Sequence, residues 1–239
     1  MLFRSDNLAD PEMRARIRAE MEEQTEPWEA FCSLATPEGT MLLGLNLPEH
    51  QQYRGWWLAD VAEEMGKHWT ETAMDLVLAE RQRVSTMYFL MSEENVAMQI
   101  AQPWIKFGTD AGGIDPTVAT GLAHPRAYGT FTRVLGKYVR EDGVVTLEDA
   151  VRKMSSAVAT RLKIRDRGFL REGYYADVVV FDPRTVSDHA TYDEPHQLST
   201  GVAHVLVNGV SVVRDGEHTG AMPGRAVRGP GWTGWEDRR

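Results

Sequence analysis

The chain has 239 residues, of which 42% are hydrophobic and 26% are charged, as in ordinary soluble globular proteins. Its net charge of −9 argues against binding to nucleic acid or to anionic membrane surfaces, because both need concentrated Lys and Arg. The single cysteine, Cys32, excludes an intrachain disulfide and fits a reducing compartment. There is no secretory signal at residues 1–10 and no apolar run of about 18 residues, so we expect a cytoplasmic protein.

Helix and strand signals alternate along the first half of the chain. The predicted elements are, in order, a charged helix at 10–23, short strands at 28–47, a helix at 58–65 that ends at Gly66, and a helix that begins after Thr70. A strand at 84–91, a short helix at 93–101 and a strand at 105–109 follow.

The last two strands are almost entirely apolar, and a helix joins them. This pattern is typical of parallel neighbours buried on both faces, the repeating unit of an α/β barrel or a wound sheet. In such folds the catalytic and ligand-binding residues lie at the carboxyl ends of the strands, and Ser92 and Asp110 occupy these positions in the predicted strands. Ser92 and Asn95 can alternatively cap the helix that follows.

Asp110 ends an apolar run, Trp104 to Thr109, that breaks into glycines. One interpretation is a residue that turns or caps the chain, and the other is a carboxylate delivered to a site. The long loop 111–122 favours a site, because such loops are uncommon in compact domains unless they serve one. The loop leads to His124 and Arg126, whose guanidinium suits either a ligand carboxylate or an acidic residue of the surface.

The second half of the chain changes from helix to strand. Helices are predicted at 131–140 and 146–162, a strand at 176–182, and a hairpin at 202–213 that turns at Asn208-Gly209. The seven histidines show no His-x-His or His-x-x-x-His spacing, so a complete local metal site is not expected. No Gly-x-Ser-x-Gly, P-loop or dinucleotide fingerprint follows a strand.

Several blocks resemble the C-terminal half of the N-acyl-D-amino-acid deacylases, or D-aminoacylases, of the metal-dependent amidohydrolase superfamily. The resemblance extends over residues 10–228. It is carried by Gly108-Thr109-Asp110, by His124-Pro125-Arg126 with the following Gly129-Thr130-Phe131, by Ala176 to Asp182, and by Val207-Asn208-Gly209. The Ala176 to Asp182 block is common to many amidohydrolases, whereas the His-Pro-Arg block is specific to the D-aminoacylases.

This resemblance implies an α/β fold: the C-terminal part of a TIM-like (β/α)8 barrel followed by strands of a small β-sandwich. Residues 1–165 would belong to the barrel, with a lid-like insert at about 28–83, and residues 166–239 to the β domain.

The resemblance also implies zinc-dependent hydrolysis of the amide bond of N-acyl-D-amino acids. Asp110 would touch the metal and carry a proton from the bound water to the leaving amine. Arg126 would bind the α-carboxylate of this small-molecule substrate. Ser92, Asn95 and His124 are assigned to the substrate pocket.

One departure from the family concerns its metal ligands. The family's His-x-His pair, its metal-binding Cys and two further His come from strands that have no counterpart here. We therefore expect a partial chain that is inactive alone and active only with a companion N-terminal segment. Two alternatives stay open: a non-catalytic fragment or structural subunit, and a dihydroorotase-like or hydantoinase-like cyclic amidohydrolase, against which the His-Pro-Arg block argues.

Overall fold

The computed structural model describes residues 7–23, 29–119 and 121–232, and it shows two compact units. The first unit comprises Met1–Ser92, Asp115–His124 and Tyr192–Glu194; the second comprises Glu93–Ile114, Pro125–Thr191 and Pro195–Arg239. Each unit is therefore assembled from separate stretches of sequence. Every helix within the described ranges is too short or too polar to cross a membrane.

The first unit combines helices with a two-stranded antiparallel sheet. Its elements are α1 (Pro11–Glu22), α2 (Phe31–Ala35), β1 (Thr40–Gly44), α3 (Leu58–Glu64), α4 (Trp69–Glu80) and β2 (Ser85–Tyr88), with 3-10 turns at Pro37–Gly39 and Pro48–Tyr53. The predicted helix at 10–23 is confirmed as α1, because Asp10 accepts a hydrogen bond from the Met13 N–H at 2.9 Å and Pro11 presets the first turn.

The core of the first unit forms around β1, which is buried on both faces from Thr40 to Leu43. Leu42 packs in one cluster with Val61 of α3 and Leu76 of α4. Side chains of this size contribute about 1.5–3 kcal/mol each when they are fully buried. The helix predicted after Thr70 therefore corresponds to α4, and its Leu76 packs against β1.

The second unit places helices beside a four-stranded antiparallel sheet. Its elements are α5 (Glu93–Ala101), α6 (Arg126–Arg133), a π-helical continuation (Val134–Glu141), α7 (Leu147–Met154), α8 (Ser156–Leu162), β3 (Val178–Phe181), β4 (Val202–Val207), β5 (Val210–Arg214) and β6 (Glu217–His218). The strands lie in the order β3-β4-β5-β6. Ile100, Val134, Tyr138 and Val186 belong to the core cluster of this unit.

The hairpin predicted at Asn208-Gly209 is confirmed. Both residues have positive φ, 51° and 80°, as a two-residue turn that matches the twist of the strands requires. Three contacts hold the turn: Asp177 accepts from the Asn208 N–H at 2.9 Å, Asn208 Nδ2 donates to the Pro223 carbonyl at 2.7 Å, and the Gly209 N–H donates to the Ala176 carbonyl.

The parallel strand pairing predicted for 84–91 and 105–109 is wrong in the described structure. β2 pairs antiparallel with β1, with Met87 opposite Met41, and 105–109 is irregular. Short apolar runs carry no information about the direction of their partner strand. In 105–109, the Phe107 N–H donates to the carbonyl of Lys153, a helical residue, instead of to a strand.

Smaller corrections concern the helices. The short strand expected around Phe31 and Leu34 is instead α2, because both side chains fit one helical face three residues apart. The helix expected at 131–140 begins earlier, at Arg126, directly after Pro125. Trp28, the first residue of the predicted lid-like insert 28–83, lies outside the described residues, and the rest of that segment lies in the first unit.

Candidate active site

Asp110 and Arg126 form an ion pair. Arg126 Nη2 lies 2.8 Å from Asp110 Oδ2, and the two side chains are 43% and 89% exposed. An exposed pair of this kind contributes about 1 kcal/mol or less to stability. The contact therefore says little about folding, but it shows that the two residues singled out in the sequence share one location in the second unit.

The backbone of Asp110 is also unusual. Its φ is 46°, in the left-handed region that few residues other than glycine adopt, and Asp is among those that tolerate it. The Ala111 N–H donates to Thr109 Oγ1 at 3.3 Å, which closes the turn. The backbone of Asp110 thus forms part of a turn, while its carboxylate contacts Arg126.

The segment that leads to Asp110 is anchored to α7. Lys153 is completely buried; its Nζ donates to the Ile100 carbonyl at 2.5 Å and lies 3.1 Å from Asp149 Oδ2. Arg152 donates to the Pro103 carbonyl at 2.9 Å, and the Lys153 carbonyl accepts from the Phe107 N–H at 3.4 Å. Residues 100–107 are therefore held in position by hydrogen bonds to α7 and not by pairing with a neighbouring strand.

Lys153→Met is expected to lower the free energy of unfolding of the second unit by about 1–3 kcal/mol, because the Ile100 carbonyl at the end of α5 loses its donor. Equilibrium urea unfolding, followed by pulsed hydrogen exchange and mass spectrometry of residues 93–114, measures it. Lys106→Met, at an exposed lysine, is the matched control and should change stability by less than about 0.5 kcal/mol. Equal effects of the two substitutions would contradict the anchoring role.

The helix that begins in the His-Pro-Arg block carries two glycines with a packing role. Gly129 and Gly136 lie seven residues apart, on one side of the helix that Arg126 begins. A Cβ on Gly129 would meet Asp188 Cβ at 2.8 Å, and one on Gly136 would meet the Val186 carbonyl at 3.0 Å. These glycines let 186–188 approach the helix closely, so part of the block's sequence is explained by packing.

The Ser-Glu-Glu-Asn segment at the start of α5 belongs to a polar network through Glu93. Tyr138 donates to Glu93 Oε1 at 2.7 Å, and Lys137 Nζ lies 3.2 Å from the same oxygen. The hydrogen bond from Tyr138, with the charge of Lys137, holds the pKa of Glu93 below its ordinary value. Ser92 and Asn95, the residues predicted for the pocket, are exposed on either side of Glu93.

His124 belongs to an aromatic cluster of the first unit. Its ring meets Tyr192 edge-on at 5.7 Å between centroids, Tyr192 contacts Phe89 at 4.8 Å, and Phe89 contacts Trp57 at 4.9 Å. Such pairs contribute about 0.5–1.5 kcal/mol beyond the burial of their surface. Sequence reasoning missed Tyr192, since it lies far from His124 in the chain and carries no local motif.

The five predicted site residues divide between the two units. Ser92 and His124 lie in the first unit, whereas Asn95, Asp110 and Arg126 lie in the second. Within 7–23, 29–119 and 121–232, no group of three or more His, Cys, Asp or Glu side chains could hold a metal ion. A zinc site needs at least three protein ligands, so the described residues do not fit a complete one.

Comparison with known proteins identifies the family. Residues 79–213 match the model of the amidohydrolase family. The N-acyl-D-aspartate deacylase of Alcaligenes xylosoxydans xylosoxydans is 38% identical over 181 residues, which is 73% of this chain and 35% of that protein. This chain spans about a third of the length of the curated relatives that it matches.

Two solved structures resemble the chain closely. A D-aminoacylase, described as defining a novel subset of amidohydrolases, has a TM-score of 0.65 and 36% identity, covering 76% of this chain and 36% of its own. An N-acyl-D-glutamate deacylase from Bordetella bronchiseptica, complexed with zinc and a phosphonate mimic of the tetrahedral intermediate, has a TM-score of 0.64 and 41% identity over 74% of this chain and 35% of its own. Zinc is thus a metal of the family, and the likeness to D-aminoacylases expected from the sequence is confirmed. This chain belongs to the amidohydrolase family and has its α/β fold.

Proposed function

We propose that this chain forms the substrate-carboxylate and proton-transfer part of an N-acyl-D-amino-acid deacylase, which hydrolyses the amide to a carboxylate and a free D-amino acid. The observation that carries the proposal is the 2.8 Å contact between Arg126 and Asp110. It brings a carboxylate-binding cation and a proton-accepting carboxylate together. Curated relatives that share 38–40% identity carry the names N-acyl-D-aspartate deacylase, D-aminoacylase and N-acyl-D-glutamate deacylase.

The chemistry of the substrate fits this pair. In an N-acyl amino acid the carboxylate carbon and the amide nitrogen are bonded to the same α-carbon. A substrate whose carboxylate is held by the fork of Arg126 therefore presents its amide nitrogen close to Asp110. Asp110 then accepts a proton from the attacking water and donates it to the departing amine, while Arg126 holds the substrate through both steps.

Zinc enters this proposal through the family and not through the described residues. Because these residues do not form a complete zinc site, we propose that a companion segment supplies the other ligands. We also propose that residues 1–165 contribute to a TIM-like barrel with a lid at about 28–83, and that residues 166–239 form part of a small β domain. The TM-score of 0.65 to a D-aminoacylase supports a fold shared with that enzyme, on which both assignments depend.

A non-catalytic role is the second candidate function. The observation that favours it is the lack of a metal-ligand group within the described ranges. In that case the chain would be a structural subunit or a relic of an amidohydrolase. The two candidates differ in whether a companion segment restores hydrolysis.

The direct test is the hydrolysis of N-acetyl-D-methionine with zinc, by this chain alone and by the chain co-expressed with the deacylase segment that it does not match. We expect activity only in the pair. Asp110→Asn should then lower kcat by about 100-fold or more, since it removes a general base. Arg126→Lys should raise KM about tenfold and leave kcat less affected, because a single ammonium replaces a bidentate fork.

Arg161→Lys, at an exposed position of α8, is the control and should leave both constants unchanged. Inactivity of the co-expressed pair would exclude the enzyme assignment and favour the structural role. Full activity of Asp110→Asn in the co-expressed pair would exclude the proton-transfer role of Asp110 but not the enzyme assignment. Faster turnover of a hydantoin than of the N-acyl amino acid would move the chain to the cyclic amidohydrolases.

A further inference from the structure

A basic cavity of about 410 Å³ opens in the second unit, where the end of α8 meets residues 225–232. Among the described residues, its lining contains one carboxylate, Asp166, and five cationic side chains: Lys163, Arg165, Arg167, Arg225 and Arg228. The whole chain has a net charge of −9, so this concentration of positive charge runs against its overall composition. The cavity shares no lining residue with the Asp110–Arg126 pair.

Two of the five cations have structural roles. Arg167 forms an ion pair with Asp177, donates to Asn208 Oδ1 at 2.5 Å and lies over the Tyr175 ring at 4.2 Å. Lys163 directly follows the C-terminus of α8, where a positive charge offsets the helix dipole. These contacts account for Arg167 and Lys163 without a ligand.

Arg165 and Arg225 have no comparable explanation. Both are exposed, and neither side chain forms an ion pair or a hydrogen bond within the ranges 7–23, 29–119 and 121–232. Asp166, the one carboxylate among the described residues of the lining, is likewise not ion-paired with any described residue. Uncompensated like charges that line one cavity repel each other, and a bound anion relieves that repulsion.

The aromatic residues of the cavity favour an oxyanion over a flat ring as its ligand. Arg228 lies over the Trp232 ring at 4.2 Å, just as Arg167 lies over Tyr175. Each of these two rings thus has a guanidinium over one face, which holds the cation in place and leaves less of the ring for the stacking of a nucleobase. What the cavity offers is positive charge and N–H donors.

We propose that this cavity binds a small molecule that carries two or more phosphate groups. Its volume is in the range of small-molecule sites, and guanidinium forks match the geometry of phosphate oxygens. A long polyanion such as nucleic acid is disfavoured by the negative charge of the rest of the chain. The proposal goes beyond the hydrolase function and does not depend on it.

The test is isothermal titration calorimetry of the purified chain with inorganic diphosphate at low salt. We expect saturable binding with one molecule per chain. The double variant Arg165→Glu, Arg225→Glu should raise Kd at least tenfold, and Arg165→Gln, Arg225→Gln should give an intermediate loss. Circular dichroism establishes that each variant remains folded, which the exposure of both side chains favours.

The matched control is Arg83→Glu, Arg214→Glu, which makes the same change in net charge at two exposed arginines outside the cavity. Its Kd should stay within about twofold of the unmodified chain, in keeping with screening between distant exposed charges. The absence of saturable binding, or equal weakening in the control, would overturn the proposal. Tighter binding of citrate than of diphosphate would overturn the assignment to phosphate.

Discussion

Gly201→Ala is expected to lower the free energy of unfolding of the second unit by about 3 kcal/mol or more, through overpacking and backbone strain together. A Cβ at this position would lie 2.5 Å from the backbone nitrogen of Val186 and closer still to its Cα. These are main-chain atoms of a residue with 0% exposure, so they cannot rotate out of the way. The φ of Gly201 is also +83°, which disfavours any side chain.

Backbone hydrogen bonds on both sides of Gly201 hold it close to Val186. The Ser187 and Thr200 backbones exchange two hydrogen bonds of 3.0 and 3.1 Å, and the Asp182 N–H donates to the Gly201 carbonyl at 3.0 Å. Relief of the clash would break these bonds. Urea unfolding with pulsed hydrogen exchange of residues 178–207 measures the loss.

Gly173→Ala separates the two causes of this effect. Gly173 has the same φ, +83°, but nothing lies within 4 Å of a Cβ there. Its substitution should therefore cost only the backbone strain, about 1–2 kcal/mol. If Gly201→Ala lowers the free energy of unfolding no more than Gly173→Ala does, residues 182–187 can move away from the added Cβ at little cost.

Glu80→Gln is expected to destabilise the first unit by about 2–4 kcal/mol, because it removes a buried charge that several donors share. The Glu80 side chain is 1% exposed. Its carboxylate accepts from the backbone N–H of Asn46 at 2.8 Å and of Leu47 at 3.2 Å, and from His50 Nδ1 at 2.9 Å. A glutamine amide keeps the shape but turns an NH2 group toward at least one of these donors.

The contribution of the Glu80 carboxylate to the stability of the first unit should depend on pH. Burial acts to raise the pKa of Glu80, but the hydrogen bonds from Asn46, His50 and Leu47 outweigh it and hold the pKa below its ordinary value. A carboxylate with a depressed folded-state pKa stabilises the fold above its unfolded pKa of about 4.3, and this contribution is lost as the pH falls through the folded-state pKa. The stability difference between wild type and Glu80→Gln should be full at pH 7 and shrink below about pH 4.

Urea unfolding at pH 7 and pH 3, with pulsed hydrogen exchange of residues 40–80, measures this difference. Glu64→Gln, at an exposed position of α3, is the control and should change stability by less than about 0.5 kcal/mol at either pH. If the stability difference between wild type and Glu80→Gln is the same at both pH values, the charge of the Glu80 carboxylate is not what stabilises its contacts with Asn46 and Leu47.

Features that depend on neighbouring residues could be predicted from the sequence. The helix at 10–23 could be predicted because Pro11 presets the φ of its first turn. Its cap is Asp10 and not the Ser5 or Asp6 expected for it, which lie outside the described residues. Asn208-Gly209 makes a hairpin because these two residues accept positive φ at little cost. Asp110 and Arg126 could be named as candidates because an apolar run, a glycine break and a long loop occur together in one stretch. These residues alone left a turn and a surface ion pair open as alternatives, and the resemblance to the D-aminoacylases was needed to favour a site.

Features that depend on distant residues could not be predicted in this way. The antiparallel partner of β2 is β1, more than forty residues earlier, and no local pattern encodes the direction of that pairing. The aromatic contact of His124 with Tyr192 and the anchoring of 100–107 by buried Lys153 likewise join segments far apart in the chain. The residue types of the candidate site follow from local sequence, but the 2.8 Å contact of Arg126 with Asp110 arises only when tertiary packing closes the loop between them.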